Sequence, residues 1–520
     1  MATSAGVYTT ELDVSQQVRG ASTSIGAIVG NALSGPVGVP HLVTSVKEFT
    51  DSYGLPDPTL GYLHHSAIAF LRESTQLYVV RVAKDARYGG CLVKSVITAS
   101  TTIAQPFSVG YVDPTLYPFV DKDLFVLYGR NQGAWNNNYR VVIYPNTVVN
   151  DNTFWIEIYV GNNTRYVERF LCSLKTVLDG YGRQLNIESV INRNSKILYC
   201  KQNHLWFDEV ASPDVNFVAS VCSSNLVGGS NGTVPKTSDY LRAWETFRDA
   251  ENIKINILIN GGLSLPEIQL RMDEIATSRQ DCIAILDVPS DVQAYQDAIN
   301  YRRNSLSLDS SYSALYAPDL LINDEYTDKL LYVPPSGYMA AVYALTDRTR
   351  ETWFAPAGMS RGHLNVRGVR FEYDQGQRDA LADSQVNMMR VISGSGIKLW
   401  GADTLQTALS ALSNINVRRL MIFLETSIND SLIYDVFDPN DFFLRSAITQ
   451  RITGFLEPIK RGRGIYGGEV ICDESNNSPE TIANGDLYVD VFVDPVLPIK
   501  RIHLTAIINK TGSTVRLTDL

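Results

Sequence analysis

A multidomain chain of mixed α/β (α+β) class is what this sequence predicts, on three observations. Its 520 residues exceed the roughly 250–300 at which a single hydrophobic core stops growing. After residue 226, strand-like apolar runs alternate with helix-length stretches, the pattern of β-α-β units around a mostly parallel sheet. From about Ser95 to Asn225 the texture is instead short Tyr-, Val- and Asn-rich runs punctuated by Gly-Asn-Asn and Pro-Asn turns, which favours strands and hairpins.

At the N-terminus, Tyr8, Thr10 and Leu12 alternate with Val7, Thr9 and Glu11, which suits an extended strand. The polar stretch Asp13 to Ser24 separates it from the apolar strand Ile25 to Gly30. Fully extended, that linker spans about 40 Å. Ser45-Val46-Lys47-Glu48 reads as a capping box, in which hydroxyl and carboxylate satisfy backbone donors at each other's positions, and Gly54 ends the short helix. A second helix over Leu60 to Ser74 feeds a strand at Leu77 to Val82.

The alternating segment then reads as helix Ser238 to Arg248, strand Ile253 to Ile259, helix Pro266 to Thr277, strand Cys282 to Asp287 and helix Asp291 to Arg302. It closes on strand-like Ser313 to Tyr316 and Leu330 to Val333. Asp438-Pro439 predicts a helix start, because the carboxylate can cap and the missing proline N–H costs nothing there. Leu444, Ile448, Ile452, Phe455 and Ile459 form its apolar stripe. Leu487, Val489, Val491 and Val493 share one strand face before Pro495 and Pro498 interrupt the ladder. A last alternating run sets Ile502, Leu504, Ala506 and Ile508 against Arg501, His503, Thr505 and Ile507.

Composition excludes several functions. With 45% hydrophobic and 19% charged residues the chain reads as ordinary globular material. A net charge of −10 argues against a general nucleic-acid binder, which needs clustered Lys and Arg. The cysteines Cys91, Cys172, Cys200, Cys222, Cys282 and Cys472 lie far apart with no ligand-like spacing, so buried reduced thiols are expected and no metal or cofactor is indicated. The N-terminus lacks the basic and apolar regions of a signal peptide and no apolar run reaches the ~18 residues of a membrane helix, so no membrane insertion is expected.

Catalytic patterns are incomplete. The loop Gly228 to Gly232 lacks the G-K-[ST] of a P-loop, and Gly394-Ser395-Gly396 lacks the rest of a dinucleotide fingerprint. A base would have to be His363 or one of His64 and His65, and there is no G-x-S-x-G elbow. The cluster Lys460-Arg461-Gly462-Arg463-Gly464 has two readings, a solvated loop beside a helix C-terminus or an electrostatic contact.

Ordered motifs along the chain resemble those of contractile tail sheath proteins. Near the start stand Gly6-Val7-Tyr8, Thr23-Ser24-Ile25-Gly26 and Gly35-Pro36-Val37. The middle carries Leu226 to Gly232, Ala314-Leu315-Tyr316-Ala317-Pro318, Val333 to Tyr338, Thr346-Asp347-Arg348 and Trp353 to Ala357. The C-terminal part carries Asn416-Val417-Arg418-Arg419, Phe437-Asp438-Pro439-Asn440-Asp441 and Cys472 to Asn477. Residues 95–225 match no sheath motif.

The resemblance implies a division into an extended arm (1–24), the N-terminal part of a conserved sheath core (25–94), a β-rich outer insertion (95–225), a subtilisin-like α/β domain (226–350), a C-terminal core domain (351–498) and a second arm (499–520). It implies a structural subunit of a virion tail, assembled in the host cytoplasm, that polymerises as a helical sheath of stacked hexameric rings around a tube. Its expected partners are the tail tube, baseplate and tail terminator proteins, with no direct nucleic-acid contact. The arms would add strands to neighbouring subunits through Val7, Tyr8, Thr10 and Leu12 at one end and Ile502, Leu504, Ala506 and Ile508 at the other. Lys460, Arg461 and Arg463 would touch an acidic tube. A subtilisin-like hydrolase is the alternative from another class, and a tailocin or secretion-system sheath the alternatives within this one.

Overall fold

A computed structural model describes residues 18, 20–96, 101–106, 116–120, 123–146, 153–204 and 221–504. Its centre is a nine-stranded sheet that draws on distant parts of the chain. From one edge the order is His363–Leu364, Gly396–Leu399, Val386–Ile392, Ser313–Ala317, Ile283–Asp287, Ile257–Ile259, Gly26–Gly30, Leu77–Arg81 and His41–Val43. The strands from Val386–Ile392 to Leu77–Arg81 run parallel, and antiparallel strands close both edges.

Strand periodicity explains why helices cover both faces. Ile28, Ile257, Ile259, Ile283, Ile285, Ala314 and Tyr316 point to one side, where they pack with Phe49, Leu63, Ala67, Met339, Tyr343 and Ile415. The residues between them, Ala27, Val29, Leu258, Ala284, Leu286, Leu315 and Ala317, point to the other side against Trp244, Ile268, Met272, Ile275, Ala298 and Leu381. Each fully buried Ile, Leu or Val on such a sheet contributes about 1.5–3 kcal/mol. The result is a doubly wound α/β/α layer structure.

Most predicted elements occur, with shifts that have local causes. Ser45 Oγ accepts from Glu48 N at 3.2 Å, but the Glu48 carboxylate reaches back to Thr44, accepting from its N at 2.9 Å and its hydroxyl at 2.7 Å. The helix expected over Leu60 to Ser74 is Leu63–Leu71, preceded by a 3-10 turn at Pro58–Leu60 that Asp57 caps. The helix expected over Asp291 to Arg302 is Tyr295–Asn300, continued by a π turn at Tyr301–Leu306. Lys329–Val333 pairs antiparallel with Leu320–Asp324 in a separate three-stranded sheet and does not extend the β-α-β series. The central sheet also runs across the expected boundary at residue 350, through Val386–Ile392 and Gly396–Leu399.

The inserted segment forms two four-stranded sheets packed face to face. Asp123–Gly129 is buried along its whole length because Phe125 and Leu127 face the partner sheet while Val126 and Tyr128 face Tyr88, Phe119 and Tyr199. The chain leaves and re-enters the central body through two segments bridged at Lys84 to Thr233, Arg87 to Ser230 and Gly90 to Val227. Gly232 (φ +76°) lies where an added Cβ would meet Lys84 O at 1.8 Å, so the glycine-rich loop is a tight crossing of these segments. Buried Arg81 secures the junction by donating to the carbonyls of Ala32 (2.8 Å), Leu33 (3.2 Å), Gly35 (3.0 Å) and, from the insertion, Gln132 (2.5 Å). All six cysteines are buried free thiols, and burial pushes that of Cys91 up to about 12.

Candidate assembly surfaces

Asn416-Val417-Arg418-Arg419 lies in the first turn of helix Ile415–Leu432 and is buried. Arg419 makes a forked ion pair with Asp347 at 2.9 and 2.6 Å, donates to Thr23 O at 3.3 Å and lies 4.8 Å over the Tyr343 ring. Arg418 donates to Ser311 Oγ at 2.6 Å and stacks 4.1 Å over Tyr312, while Asn416 donates to Trp353 O at 3.2 Å. The motif thus clamps helix Ile415–Leu432 to helix Ser336–Thr349, to the turn before strand Ser313–Ala317 and to the segment at Thr23. Guanidinium suits the place because its planar fork meets a carboxylate and a carbonyl at once.

The same clamp holds the chain start. Ala21 N donates to Ser427 Oγ at 3.0 Å, Ser24 Oγ to Asp347 at 2.9 Å and Ser74 Oγ to Ser24 O at 2.6 Å. The stretch Asp13 to Ser24 is therefore not wholly a linker, because residues 20–24 lie strapped against helix Ile415–Leu432. The seven residues Asp13 to Arg19 that precede the strap reach at most about 25 Å, shorter than the ~40 Å of the whole stretch.

Helix Phe442–Arg461 packs Ile448, Ile452, Leu456 and Ile459 against Leu420, Leu424 and Ile465, with Leu444 and Phe455 at the margin of this core. Its N-cap is Asp441, whose carboxylate accepts from Leu444 N at 2.8 Å, and not Asp438 as expected. Asn440 fixes that choice, accepting from Arg445 at 2.8 Å and donating to Asp486 O at 3.0 Å, so the turn extends to 441 before the helix begins. At the other end, Trp353 Nε1 donates to Gly462 O at 2.9 Å and Gly464 N to Ile459 O at 2.9 Å. This holds Lys460, Arg461 and Arg463 on an exposed turn, and among the described residues none of the three forms an ion pair.

Beyond the turn, Ile465–Ile471 pairs antiparallel with Asp490–Pro495. Val470, Val491 and Val493 face the helix core, and among the described residues both outer edges of this two-stranded sheet are unpaired. The loop between its strands uses side chains in place of backbone partners. Asn477 donates to Tyr488 O at 2.9 Å and accepts from Tyr488 N at 2.8 Å, while Asn476 donates to Ile471 O at 2.8 Å and Asp490 Oδ2 at 2.9 Å. After Pro495 the chain leaves the sheet. Lys500 pairs with Asp403, and Ile502 and Leu504 are exposed without regular structure. Val7, Tyr8, Thr10, Leu12, Ala506 and Ile508 lie outside the described residues.

Sequence reading missed the turn between the two C-terminal helices. Ile433, Tyr434, Val436, Phe437, Phe442 and Phe443 are all exposed there. The signal in the sequence was the density of large apolar residues on both sides of the helix start, outside the stripe from Leu444 to Ile459.

Among the described residues no hydrogen-bonded set of serine, histidine and carboxylate assembles on the central sheet. The serine nearest in arrangement to a hydrolase centre is Ser336, whose hydroxyl donates to buried Asp287 at 2.6 Å. Burial pushes the Asp287 carboxyl up to about 7, against the hydrogen bonds from Ser336 and Gly262. The pair is enclosed, and its partners are backbone: Ser336 N and Gly262 N donate to Asp287, and Gly261 N to Ser336 Oγ. His64 contacts Tyr53 O, His65 contacts Asp324 and His363 contacts Lys398. Among the described residues no group of His, Cys, Asp or Glu could hold a metal ion, and no helix is long and apolar enough to cross a membrane.

A doubly wound core, a strap at residues 20–24, a hairpin whose edges are unpaired among the described residues, and exposed charged and apolar patches suit a protein that works through surface contacts. Comparison makes the class specific. The profile for the phage tail sheath protein central domain matches residues 233–405, and that for the phage tail sheath C-terminal domain matches 408–509, together more than half of the chain. The tail sheath protein of Enterobacteria phage T4 is 31% identical over 310 residues, 55% of this chain and 47% of its own. That of Vibrio phage KVP40 is 27% identical over 315 residues, 56% and 47%. This chain thus spans about half the length of the phage relatives it matches.

Two solved structures share the fold. The sheath tail protein of Listeria innocua superposes with a TM-score of 0.57 at 10% identity over 92% of this chain and 96% of that one. The contracted sheath of an extracellular contractile injection system gives 0.53 at 15% identity over 98% of each chain. The chain belongs to the phage tail sheath protein family. The hydrolase alternative has no support.

Proposed function

We propose that this chain is the repeating subunit of a contractile sheath that polymerises helically around a tail tube, in stacked hexameric rings, and drives the tube through a host envelope. The observation that carries the proposal is the hairpin Ile465–Ile471 and Asp490–Pro495, whose two outer edges, unpaired among the described residues, suit strands arriving from other copies. The N-terminal arm, with Val7, Tyr8, Thr10 and Leu12, and the C-terminal arm, with Ile502, Leu504, Ala506 and Ile508, supply those strands.

On this reading residues 25–94 and 351–498 form the conserved core, 226–350 completes the α/β domain, and 95–225 projects outward. Head-to-tail contacts that do not close build a filament. Each backbone bond of an added strand is worth a net ~0.5–1.5 kcal/mol, so a short strand holds its neighbour while the bodies rotate about it. Lys460, Arg461 and Arg463 meet an acidic tube through exposed pairs of ~0–1 kcal/mol each, weak enough to release on contraction. Baseplate and terminator proteins bound the filament, which assembles in the host cytoplasm and serves genome ejection.

The test is assembly itself. The purified chain is expected to form helical tubes visible by negative-stain microscopy, and removal of residues 499–520 to leave folded, unassembled subunits. Tubes that survive the deletion, or an intact chain that never forms them, would refute the strand-exchange reading.

A further inference from the structure

The turn between helices Ile415–Leu432 and Phe442–Arg461 presents Ile433, Tyr434, Val436, Phe437, Phe442 and Phe443 to solvent within eleven residues. Isolated apolar residues on a surface need no explanation, but a contiguous cluster of this density marks an interaction site. Phe437 is fully exposed, at 102% of its reference area, and holds φ +76°. A left-handed backbone is costly for an aromatic residue, and no intramolecular packing of the ring repays it here.

The turn is rigidly mounted. Asp435 forms a forked pair with Arg451 at 2.8 and 3.0 Å at its base, and Asn440 is tied to Arg445 and Asp486 at its far side. The exposed rings therefore stand on fixed supports, the arrangement that limits the ordering cost of binding.

We propose that this turn is an apolar docking knob for a second copy of the same chain, packing beside the hairpin edge where a neighbour's strand is added. The inference rests on the sheath reading. Two observations select this occupant. The Asn440 to Asp486 bond places the knob next to the loop that enters strand Asp490–Pro495, continuous with the proposed strand-exchange edge. A stable interface needs ~800 Å² per partner, beyond what one added strand covers, and Phe and Tyr rings of ~150–250 Å² each supply the difference. The knob also lies at the opposite end of a 20-residue helix, about 30 Å long, from the basic turn assigned to the tube.

The experiment compares the full chain with F437S/F443S and with F437G. Both variants are expected to match the parent in circular dichroism, and F437G to melt higher because glycine accepts the left-handed backbone. Both are expected to raise the critical concentration for tube assembly at least tenfold. A photo-cross-linker at position 443, in mixed isotopically labelled subunits, is expected to join two copies. Unchanged assembly of both variants, or cross-links only within one chain or to the tube protein, would overturn the knob while leaving the sheath reading standing. A parent chain that never assembles would bring down both.

Discussion

Arg419 stands where three parts of the chain meet, and its energetics follow from burial. With side chains only 4% and 7% exposed, the Arg419 and Asp347 pair has lost most of its hydration and regains it through two short charge-assisted bonds. Removing one partner leaves the other charge buried, at a cost of about 3–5 kcal/mol. Arg419→Ala is therefore expected to lower the unfolding free energy by that amount, read as a fall in the urea midpoint at unchanged slope, and Arg419→Lys, which cannot fork, to fall between. A loss under about 1 kcal/mol would show that the clamp holds nothing. The sequence displayed the residue as part of a recognisable motif, but not its partner, because Asp347 lies 72 positions away on another helix.

Elements were legible wherever one local rule had no competitor. The strands at Gly26–Gly30 and Ile283–Asp287 and the helix Pro266–Arg279, with proline in its first turn, needed only periodicity and capping. The sequence pointed to Asp438, before a proline, as the start of helix Phe442–Arg461, whereas Asp441, three residues before Leu444, caps it. Tertiary bonds of Asn440 decided between them. Asp441→Ala is accordingly expected to cost about 1 kcal/mol and Asp438→Ala to stay within about 0.5 kcal/mol, read by thermal or urea unfolding. The reverse order would restore the helix start expected from the sequence.

At the scale of the molecule, charge and apolar surface occupy opposite ends of the C-terminal helix, and each suits a different contact. Exposed cations are screened by salt, so a contact made through Lys460, Arg461 and Arg463 should weaken steeply as ionic strength rises. Reversing all three to Glu is expected to leave unfolding unchanged and to reduce binding to isolated tail tubes about tenfold or more at low salt. Tube binding that is indifferent both to the reversal and to salt would assign the tube contact elsewhere. The strap at residues 20–24 is held by buried pairs, while the hairpin edges, unpaired among the described residues, and the exposed turn around Phe437 are open to solvent.

By itself the sequence determined the mixed α/β class, the β-rich insertion, the alternation of strands and helices after residue 226 and the family, because periodicity, turn chemistry and ordered motifs are local in the chain. Only the tertiary structure decided that residues 26–81 and 257–399 build one sheet, that residues 20–24 are strapped to helix Ile415–Leu432, and that the rings around Phe437 face solvent. Each of those depends on which surfaces meet across hundreds of residues, and an apolar side chain reads the same in a sequence whether its partner is its own core or a neighbouring copy.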